Sequence, residues 1–136
     1  MKREKHEQIL KEVLDEIELA LKDERGLTAH QRRLAFSLSL GAINLLELYL
    51  RNLNVIKEGS RINHQWFKKR KDKIVDQLQK HMTSPIASLA EINKMIEIIK
   101  KIEDKRDDIA YGSPTTEKVL QEKINLFFEL KKLSKC

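Results

Sequence analysis

The feature that most constrains this chain is an apolar stretch that covers every side of a helix. Ten leucine, isoleucine and phenylalanine residues lie between positions 34 and 53, namely Leu34, Phe36, Leu38, Leu40, Ile43, Leu45, Leu46, Leu48, Leu50 and Leu53. A helix with no polar face is buried, either by several neighbouring helices or by a second subunit. We therefore predict that a helix running to about Val55 lies at the centre of the fold.

Glycine and proline are scarce, which favours long helices with short connections. The chain has four glycines and two prolines in 136 residues. Four further segments carry apolar residues at three- and four-residue intervals, the period of an amphipathic helix. They predict helices at Arg3–Arg25, from Ser60 or Arg61 to Met82, from Ser88 to Tyr111, and from Ser113 onward. The expected architecture is all-α, a five-helix and mostly up-and-down bundle formed by one domain over residues 1–136.

Cap residues set these predicted boundaries. Gly26 suits the C-cap of the first helix. Thr28 and Gln31, and likewise Ser88 and Glu91, have the spacing of a capping box. Ser113 and Pro114 suit the N-cap and first position of the last helix. Gly41, midway along the apolar helix, is expected to let another helix approach closely.

Compartment and cofactors are predicted from residues that the chain lacks or uses sparingly. Its one cysteine, Cys136, has no partner for an internal disulfide, which suits a reducing compartment. The segment "MKREKHEQ" leads into an amphipathic pattern and not into the apolar core of a signal peptide. No uninterrupted apolar run reaches the roughly 20 residues of a membrane span. We expect a cytoplasmic protein that does not bind a membrane.

Most catalytic and metal-binding patterns are missing. The four histidines, His6, His30, His64 and His81, lie on different segments without the spacing of zinc ligands. The glycines are scattered singly, so no phosphate-binding loop is present, and no serine or cysteine sits in a nucleophile elbow. We expect no metal and no cofactor. Glu47, inside the apolar helix, needs a partner, and a lysine or arginine from a neighbouring helix is favoured over a role in a site.

The net charge of +6 is concentrated in one segment. Residues 51 to 73 contain eight basic and two acidic residues, and the remainder of the chain is balanced. A basic stripe beside Trp66 suits phosphate contact and base stacking. The nucleic-acid-binding candidates are Arg61, His64, Lys68, Lys69, Arg70 and Lys71. The alternative is that these charges only solvate a helix whose Trp66 and Phe67 pack inward.

The stretch "RDDIAYG", residues 106–112, is the remaining candidate site. Arg106, a polar Asp107, three intervening residues and the ring of Tyr111 resemble the Arg-x4–6-His signature of HEPN domains. These are small helical bundles of prokaryotic toxins, ribonucleases and partners of minimal nucleotidyltransferases. The motif falls between two helices, and the apolar helix "RRLAFSLSLGAINLLELYLRNLNV" resembles the corresponding helix of such domains. The structural alternative is a plain helix end with its charges in solvent.

The resemblance implies an RNA-related role, a homodimer with two motifs in one cleft, and a toxin–antitoxin setting with a nucleotidyltransferase partner. Tyr111 stands where the family has histidine, and a phenol is a poor general base at neutral pH. The leading hypothesis is therefore a nucleotide- or RNA-binding or regulatory module without orthodox ribonuclease chemistry. One alternative is an active ribonuclease that uses Arg106 and Tyr111. Another is a structural adaptor that assembles through its apolar helix.

Overall fold

The computed structural model describes residues 2–135, and over these residues the chain is all-α, as predicted. It has six α-helices and no β-strand within that range: α1 (Arg3–Lys22), α2 (Gln31–Asn52), α3 (Lys71–Gln79), α4 (Ile92–Glu103), α5 (Arg106–Ala110) and α6 (Glu117–Ser134). Short 3-10 helices lie at Leu27–His30, His64–Lys68 and Ile86–Ser88. The expectation for Cys136 falls outside the described residues.

Helix α2 is the centre of the bundle, as its all-round apolar pattern predicts. It packs against α1, α4, α5 and α6. Residue pairs across these contacts show that α1 and α4 run antiparallel to α2, whereas α6 runs parallel to it. The four long helices α1, α2, α4 and α6 therefore alternate in direction along the chain, as an up-and-down bundle requires.

Helix α2 and the turn before it are long and apolar enough to resemble a membrane span. Residues Leu27–Asn52 contain an 18-residue window with a mean hydropathy of 1.3, enough to cross a bilayer by length and composition alone. However, 78% of that window is buried inside the bundle. A core helix of a soluble protein passes the same test, so this finding is weak evidence for membrane insertion.

The third predicted helix is wrong over its first half. In place of a helix from Ser60 or Arg61 to Met82, the chain forms a loop, the 3-10 helix His64–Lys68 and then the shorter α3. Asn63 accepts a hydrogen bond from the Gln65 N–H at 2.9 Å and begins the 3-10 helix. The charged run from Lys68 to Lys73 contains no apolar residue to hold a helical turn against the core.

The fourth predicted helix divides into α4 and α5. The backbone of Lys105 takes the left-handed conformation, with φ 58°, between the two helices. The Lys123 ammonium donates to the carbonyls of Lys101, Ile102 and Asp104 at 3.1, 2.9 and 2.5 Å. These are C-terminal carbonyls of α4, so Lys123 acts as a side-chain cap and α4 ends there.

Three predicted caps are not found in the structure. Helix α1 ends at Lys22, before Gly26, and α4 begins at Ile92 with no side-chain cap from Ser88. Helix α6 is capped by Thr116, whose hydroxyl accepts from the Val119 N–H at 3.1 Å.

Glu117 replaces the predicted capping box before α2. Its carboxylate accepts from the N–H groups of Leu27 and Thr28 at 2.7 and 2.9 Å. Gly26 makes this approach possible, since its φ is 93° and a Cβ there would lie 2.6 Å from Glu117 Oε1. The start of α6 is therefore tied to the turn that leads into α2.

Glu47 is buried, but its partners are not the predicted lysine or arginine. One carboxylate oxygen accepts from the Ile62 N–H at 2.7 Å, and the other lies 3.4 Å from Nε2 of the buried His6. His6 Nδ1 lies 2.7 Å from Asn44 Oδ1. Because Asn44 uses its amide nitrogen to donate to the Leu40 carbonyl, its oxygen is the acceptor, and His6 Nδ1 donates. Glu47 thus joins α1 and the loop of residues 53–63 to the central helix.

Gly41 confirms the close approach predicted from the sequence. A Cβ at this position would lie 2.6 Å from Phe127 Cε1 and 2.9 Å from Val13 Cγ1. Helices α1, α2 and α6 therefore meet at a point where only a hydrogen fits.

We expect Gly41→Ala to lower the free energy of unfolding. Overpacking a core costs about 1–3 kcal/mol, which exceeds the roughly 1 kcal/mol that alanine gains over glycine in helix propensity. Urea denaturation measures the difference. As a control, adding the methyl group to a Phe127→Leu background should cost less, because leucine leaves more space. A Gly41→Ala variant that is stabilised in both backgrounds would contradict the close approach.

The Glu117 contact predicts a dependence of stability on pH. The N–H groups of Thr28 and, to a smaller extent, Leu27 hold the pKa of Glu117 below its ordinary value. A lowered folded-state pKa contributes stability that is present above the unfolded-state value and is lost as pH falls through the folded-state value. Between pH 7 and pH 3, Glu117→Gln should therefore lose less stability than the wild type. Equal losses in both proteins, measured by denaturation, would contradict this role.

Candidate functional site

The junction between α4 and α5 brings together the residues singled out in "RDDIAYG" and part of the basic segment. Lys123 caps the end of α4, and the next residue but one, Lys105, has a left-handed backbone conformation. Arg106 is therefore the first residue of a new helix. Helix α5 packs on α2, and the 3-10 helix His64–Lys68 packs on α4. Side chains from three elements therefore converge on this junction.

Arg106 is held against an aromatic ring. The centre of its guanidinium lies 4.8 Å from the centroid of the Phe36 ring, within the range of a cation–π contact. Nη1 donates to Asp107 Oδ1 at 2.8 Å, and the side chain is 14% exposed. The Nε atom is buried without a hydrogen-bond partner among the described residues. Arg106 is thus fixed in place while part of its donor capacity remains unused.

Asp107 joins Arg106 to Lys68. Its Oδ1 accepts from Arg106, and its Oδ2 accepts from the Lys68 ammonium. Lys68 and, secondarily, Arg106 hold the pKa of Asp107 below its ordinary value by hydrogen bonding to the charged form. Two cations from distant parts of the sequence therefore converge on the two oxygens of a single anion.

A second group of contacts lies beside the first. The carboxylate of Glu103, with a side chain that is 1% exposed, accepts from the Ser39 hydroxyl through Oε1. Its Oε2 lies 3.1 Å from His64 Nδ1. The His64 side chain is 28% exposed, and its Nε2 is not a buried atom and has no hydrogen-bond partner among residues 2–135. A buried carboxylate thus holds a histidine whose second nitrogen reaches solvent.

The two groups form adjacent rows. The first row is Ser39–Glu103–His64, and the second is Phe36–Arg106–Asp107–Lys68. Phe36 and Ser39 are three residues apart on α2, a spacing at which Cβ atoms lie about 5–6 Å apart. The 3-10 helix His64–Lys68 joins the two rows a second time, because His64 contacts Glu103 and Lys68 contacts Asp107.

An open cleft of about 890 Å³ borders the second row. Lys68, Glu103, Arg106 and Asp107 line one part of it, and Lys100 and Lys123 lie among its other lining residues. The lining contains six basic and six acidic side chains, so the cleft as a whole is not strongly positive. Any attraction for an anion is therefore local to the cations that converge on Asp107.

Tyr111 lies apart from Arg106. It is the C-cap of α5 and is 76% exposed. Five residues along an α-helix correspond to a rotation of about 140° beyond a full turn, so the two side chains leave the helix in different directions. No hydrogen bond joins the Tyr111 hydroxyl to Arg106 within residues 2–135.

The basic segment is divided by the structure. Lys68 and Lys71 form ion pairs with Asp107 and Glu97, and Arg70 lies 3.5 Å from Asp72. Arg61 and Lys69 are exposed, with no hydrogen bond or ion pair from their side chains to residues 2–135. Phe67 is buried, and the half-buried Trp66 stacks on His81 with ring centroids 5.1 Å apart. Trp66 is therefore occupied within the fold and does not form an exposed stacking platform.

Three residues of the site were not singled out in the sequence, namely Phe36, Ser39 and Glu103. Glu103 had a detectable signal, since it lies four residues after Ile99 on the buried face of α4. A carboxylate at such a position requires a partner, by the same reasoning that drew attention to Glu47. The partners themselves, 39 and 64 residues away in sequence, carried no local signal.

The remaining histidines do not combine into a metal site. His6 lies beside Asn44 and Glu47, His30 beside Asp23, and His81 beside Ser60. Among residues 2–135 no group of three or more histidine, cysteine, aspartate or glutamate side chains is arranged to hold a metal ion.

Comparison with known proteins gives no family assignment. No family model, no curated protein and no solved structure matches this chain. The site is therefore interpreted from its own geometry and chemistry.

Proposed function

We propose that this chain is a HEPN-like helical bundle that binds the phosphate of RNA or of a nucleotide, as a homodimeric binding or regulatory module. The observation that supports the proposal is the convergence of Arg106 and Lys68 on the two oxygens of Asp107. A carboxylate and a phosphate present similar pairs of acceptor oxygens to such cations. An incoming phosphate would therefore compete with Asp107 for both side chains.

The exposure of these groups suits such an exchange. Asp107 and Lys68 have side chains that are 43% and 42% exposed, so the ion pair between them is weak and accessible to water. Arg106 is more buried and is supported by Phe36, so it keeps its position when Asp107 moves away. Lys69, whose carbonyl accepts from the cleft-lining Lys100, is exposed and has no ion pair to residues 2–135, so it adds positive charge that attracts a longer polyanion. Arg61, in the same segment, is also exposed.

Substitutions at the two ends of the Arg106–Asp107 pair should change RNA affinity in opposite directions. Arg106→Ala should weaken binding about tenfold or more, since a charge-assisted hydrogen bond contributes about 1.5–3 kcal/mol. Asp107→Asn should strengthen binding, because it removes the competing carboxylate. Fluorescence anisotropy of a labelled single-stranded RNA at several salt concentrations measures both effects.

Arg3→Ala is the matched control, because Arg3 is an exposed arginine whose guanidinium contacts Glu7. It removes the same charge without touching the site. Affinity that does not depend on salt would exclude phosphate contacts. Equal losses in Arg3→Ala and Arg106→Ala would show that only overall charge matters, which would overturn the proposed site.

The proposed dimer uses the apolar residues next to Arg106. Phe36 and Leu40 lie one turn apart on α2 and are 40% and 49% exposed, although most of this helix is buried in its own bundle. They are continuous with the Arg106 row through Phe36. Pairing two copies through this strip would bring two Arg106 side chains towards one cleft. The hypothesis of a structural adaptor that assembles through α2 has less support, because most apolar residues of α2 are already buried within the chain.

We expect light scattering to give a dimer for the wild type and a monomer for Leu40→Asp. A buried aspartate at a dimer interface has no compensating partner, so association should be strongly weakened. Leu19→Asp is the matched control, since Leu19 is 61% exposed on α1. It should remain dimeric. A wild-type protein that is monomeric at all concentrations would overturn the shared cleft.

A further inference from the structure

We propose that helix α1 is fastened to α2 by two buried histidines, His6 and His30, each held as a charged imidazolium against a carboxylate, and that this attachment loosens as pH rises. The contacts involve neither Arg106 nor a bound phosphate, so this property does not depend on the proposed function.

One ring nitrogen of each buried histidine lacks a hydrogen-bond partner. His6 and His30 are 0% and 8% exposed. His6 Nε2 and His30 Nδ1 are buried atoms without such a partner among residues 2–135, yet each faces a carboxylate oxygen. His6 Nε2 lies 3.4 Å from Glu47 Oε2, and His30 Nδ1 lies 3.5 Å from Glu16 Oε1. Buried polar atoms are nearly always hydrogen-bonded, so a hydrogen is expected between the two atoms of each pair.

At His6, a neutral imidazole would leave two acceptors facing each other. Nδ1 donates its hydrogen to Asn44 Oδ1 at 2.7 Å, because the Asn44 amide nitrogen donates to the Leu40 carbonyl. A neutral imidazole has only one N–H, so Nε2 would then direct a lone pair at Glu47. In the imidazolium both nitrogens carry hydrogen, and the contact becomes an attraction between opposite charges.

His30 lies between two carboxylates, one on each ring nitrogen. Nε2 lies 2.7 Å from Asp23 Oδ2. Hydrogen bonds from Arg25 and, to a smaller extent, from His30 hold the pKa of Asp23 well below its ordinary value. Asp23 is therefore the acceptor, and Nε2 carries a hydrogen. Glu16 Oε1, which faces the other nitrogen, is itself a buried atom without a partner in residues 2–135, so a hydrogen on Nδ1 would satisfy both atoms.

The charges around His30 favour the imidazolium. Glu16 and Asp23 approach from α1 and its C-cap, and Glu117 approaches from α6, where its carboxylate accepts from the Thr28 N–H. Arg25 pairs with Asp23 at 2.7 Å. Three carboxylates and one arginine leave a net negative charge, which stabilises a positive charge on His30.

The first cations of α2 are engaged elsewhere or lie in solvent. Arg32 donates to the Ala110 carbonyl of α5 at 3.0 Å, and Arg33 is exposed. Neither therefore takes the place of His30 between its two carboxylates.

Around His6 the charged groups are fewer. Helix α2 contributes Glu47 and, one turn later, Arg51, which forms no ion pair with Glu47 among the described residues. The loop of residues 53–63 contributes the neutral Ile62 N–H, which lies 2.7 Å from the other Glu47 oxygen. Glu47 is therefore the charged group in direct contact with His6.

The two contacts lie at opposite ends of α1. His6 is in the first turn of α1 and meets the C-terminal half of α2. His30 directly precedes α2 and meets Glu16, in the last two turns of α1, and Asp23, the C-cap of α1. The buried apolar residues of α1 between these contacts are Leu10, Val13, Ile17 and Ala20. Loss of both protons would therefore weaken the attachment of α1 at both ends.

The dependence on pH has a definite sign. Histidines of an unfolded chain lose their protons near about pH 6.5. Below this pH the folded and the unfolded chain both hold the two protons, and the contacts contribute fully to stability. Above it the folded chain retains protons that the unfolded chain releases, so stability falls as pH rises. Each retained proton raises the equilibrium constant of unfolding by up to about tenfold per pH unit.

Urea denaturation between about pH 6 and pH 9 tests this dependence in Glu16→Gln, Glu47→Gln and the double variant. A glutamine amide donates an N–H to the lone pair of a neutral imidazole, so these variants keep the contact without the proton. Each single substitution should reduce the rise of the unfolding constant by up to about tenfold per pH unit, and the double variant should lose both contributions. Glu12→Gln is the matched control, because Glu12 is an exposed glutamate of α1, and it should follow the wild type.

Heteronuclear NMR of the imidazole nitrogens observes the protons directly. At about pH 7.5 both ring nitrogens of His6 and of His30 should carry hydrogen. His81 is the internal comparison, because its Nδ1 faces the Ser60 hydroxyl at 3.1 Å and it has no ion pair within residues 2–135. It should show a single N–H at the same pH.

Amide hydrogen exchange, corrected for the intrinsic effect of pH, locates the loosening. Protection should fall in α1 before it falls in α6 as pH rises. Equal pH dependence of the wild type and the double variant would overturn the proposal, as would a single N–H on His6 or His30 at about pH 7.5. Equal loss of protection in α1 and α6 would overturn the assignment of the effect to α1.

Discussion

The burial of α2 on nearly all sides is the constraint on which the rest of the structure depends. Its apolar circumference can be removed from water only if α1, α4, α5 and α6 surround it. Gly41 allows α1 and α6 to reach the helix at the same level. Among the large apolar residues of α2, Phe36 and Leu40 are the two that remain exposed. The strip that they form is where the Arg106 side chain lies, so the location of the candidate site follows from how α2 is covered.

Lys123 determines the form of the site. Burial lowers the pKa of this ammonium group, although Asp104 and Glu103 act in the opposite direction. Its three hydrogen bonds to carbonyls at the end of α4 satisfy all three of its donors. A continuous helix from α4 through α5 would need those carbonyls for its own N–H groups. The break therefore separates Glu103 from Arg106 and lets each face a different part of α2.

The sequence predicts those features that depend on local periodicity. The helices α1, α2 and α6 and the central place of α2 follow from apolar spacing, and the close approach at Gly41 follows from the small size of glycine. The false third helix arose because Phe67 and Ile74 are seven residues apart, a spacing that suits a helix even when the turns between them lack apolar contacts. The break at Lys105 and the cap by Glu117 depend on side chains of α6, which lie far away in sequence.

The same distinction applies to the candidate site. Arg106 and Asp107 were selected from a short motif, and His64 and Lys68 from local charge, without any indication that these pairs meet. Their meeting requires the 3-10 helix to fold back on the α4–α5 junction, which is a tertiary contact. Ser39 and Phe36 were hidden within the apolar pattern of α2, because their importance lies in which neighbours they contact. Periodicity indicates that a residue faces the interior but not what it meets there.

The two rows differ in how firmly they are held, and this difference bears on how the proposed anion would bind. In the Arg106 row, the Asp107–Lys68 pair is half exposed and readily exchanged. In the Ser39 row, Glu103 is buried and its oxygens are both hydrogen-bonded. An anion that displaces Asp107 therefore releases only one attachment of the 3-10 helix His64–Lys68, while His64 keeps the other. The anion proposed to bind there would therefore leave the segment that carries His64 in place, because the Ser39 row anchors that segment.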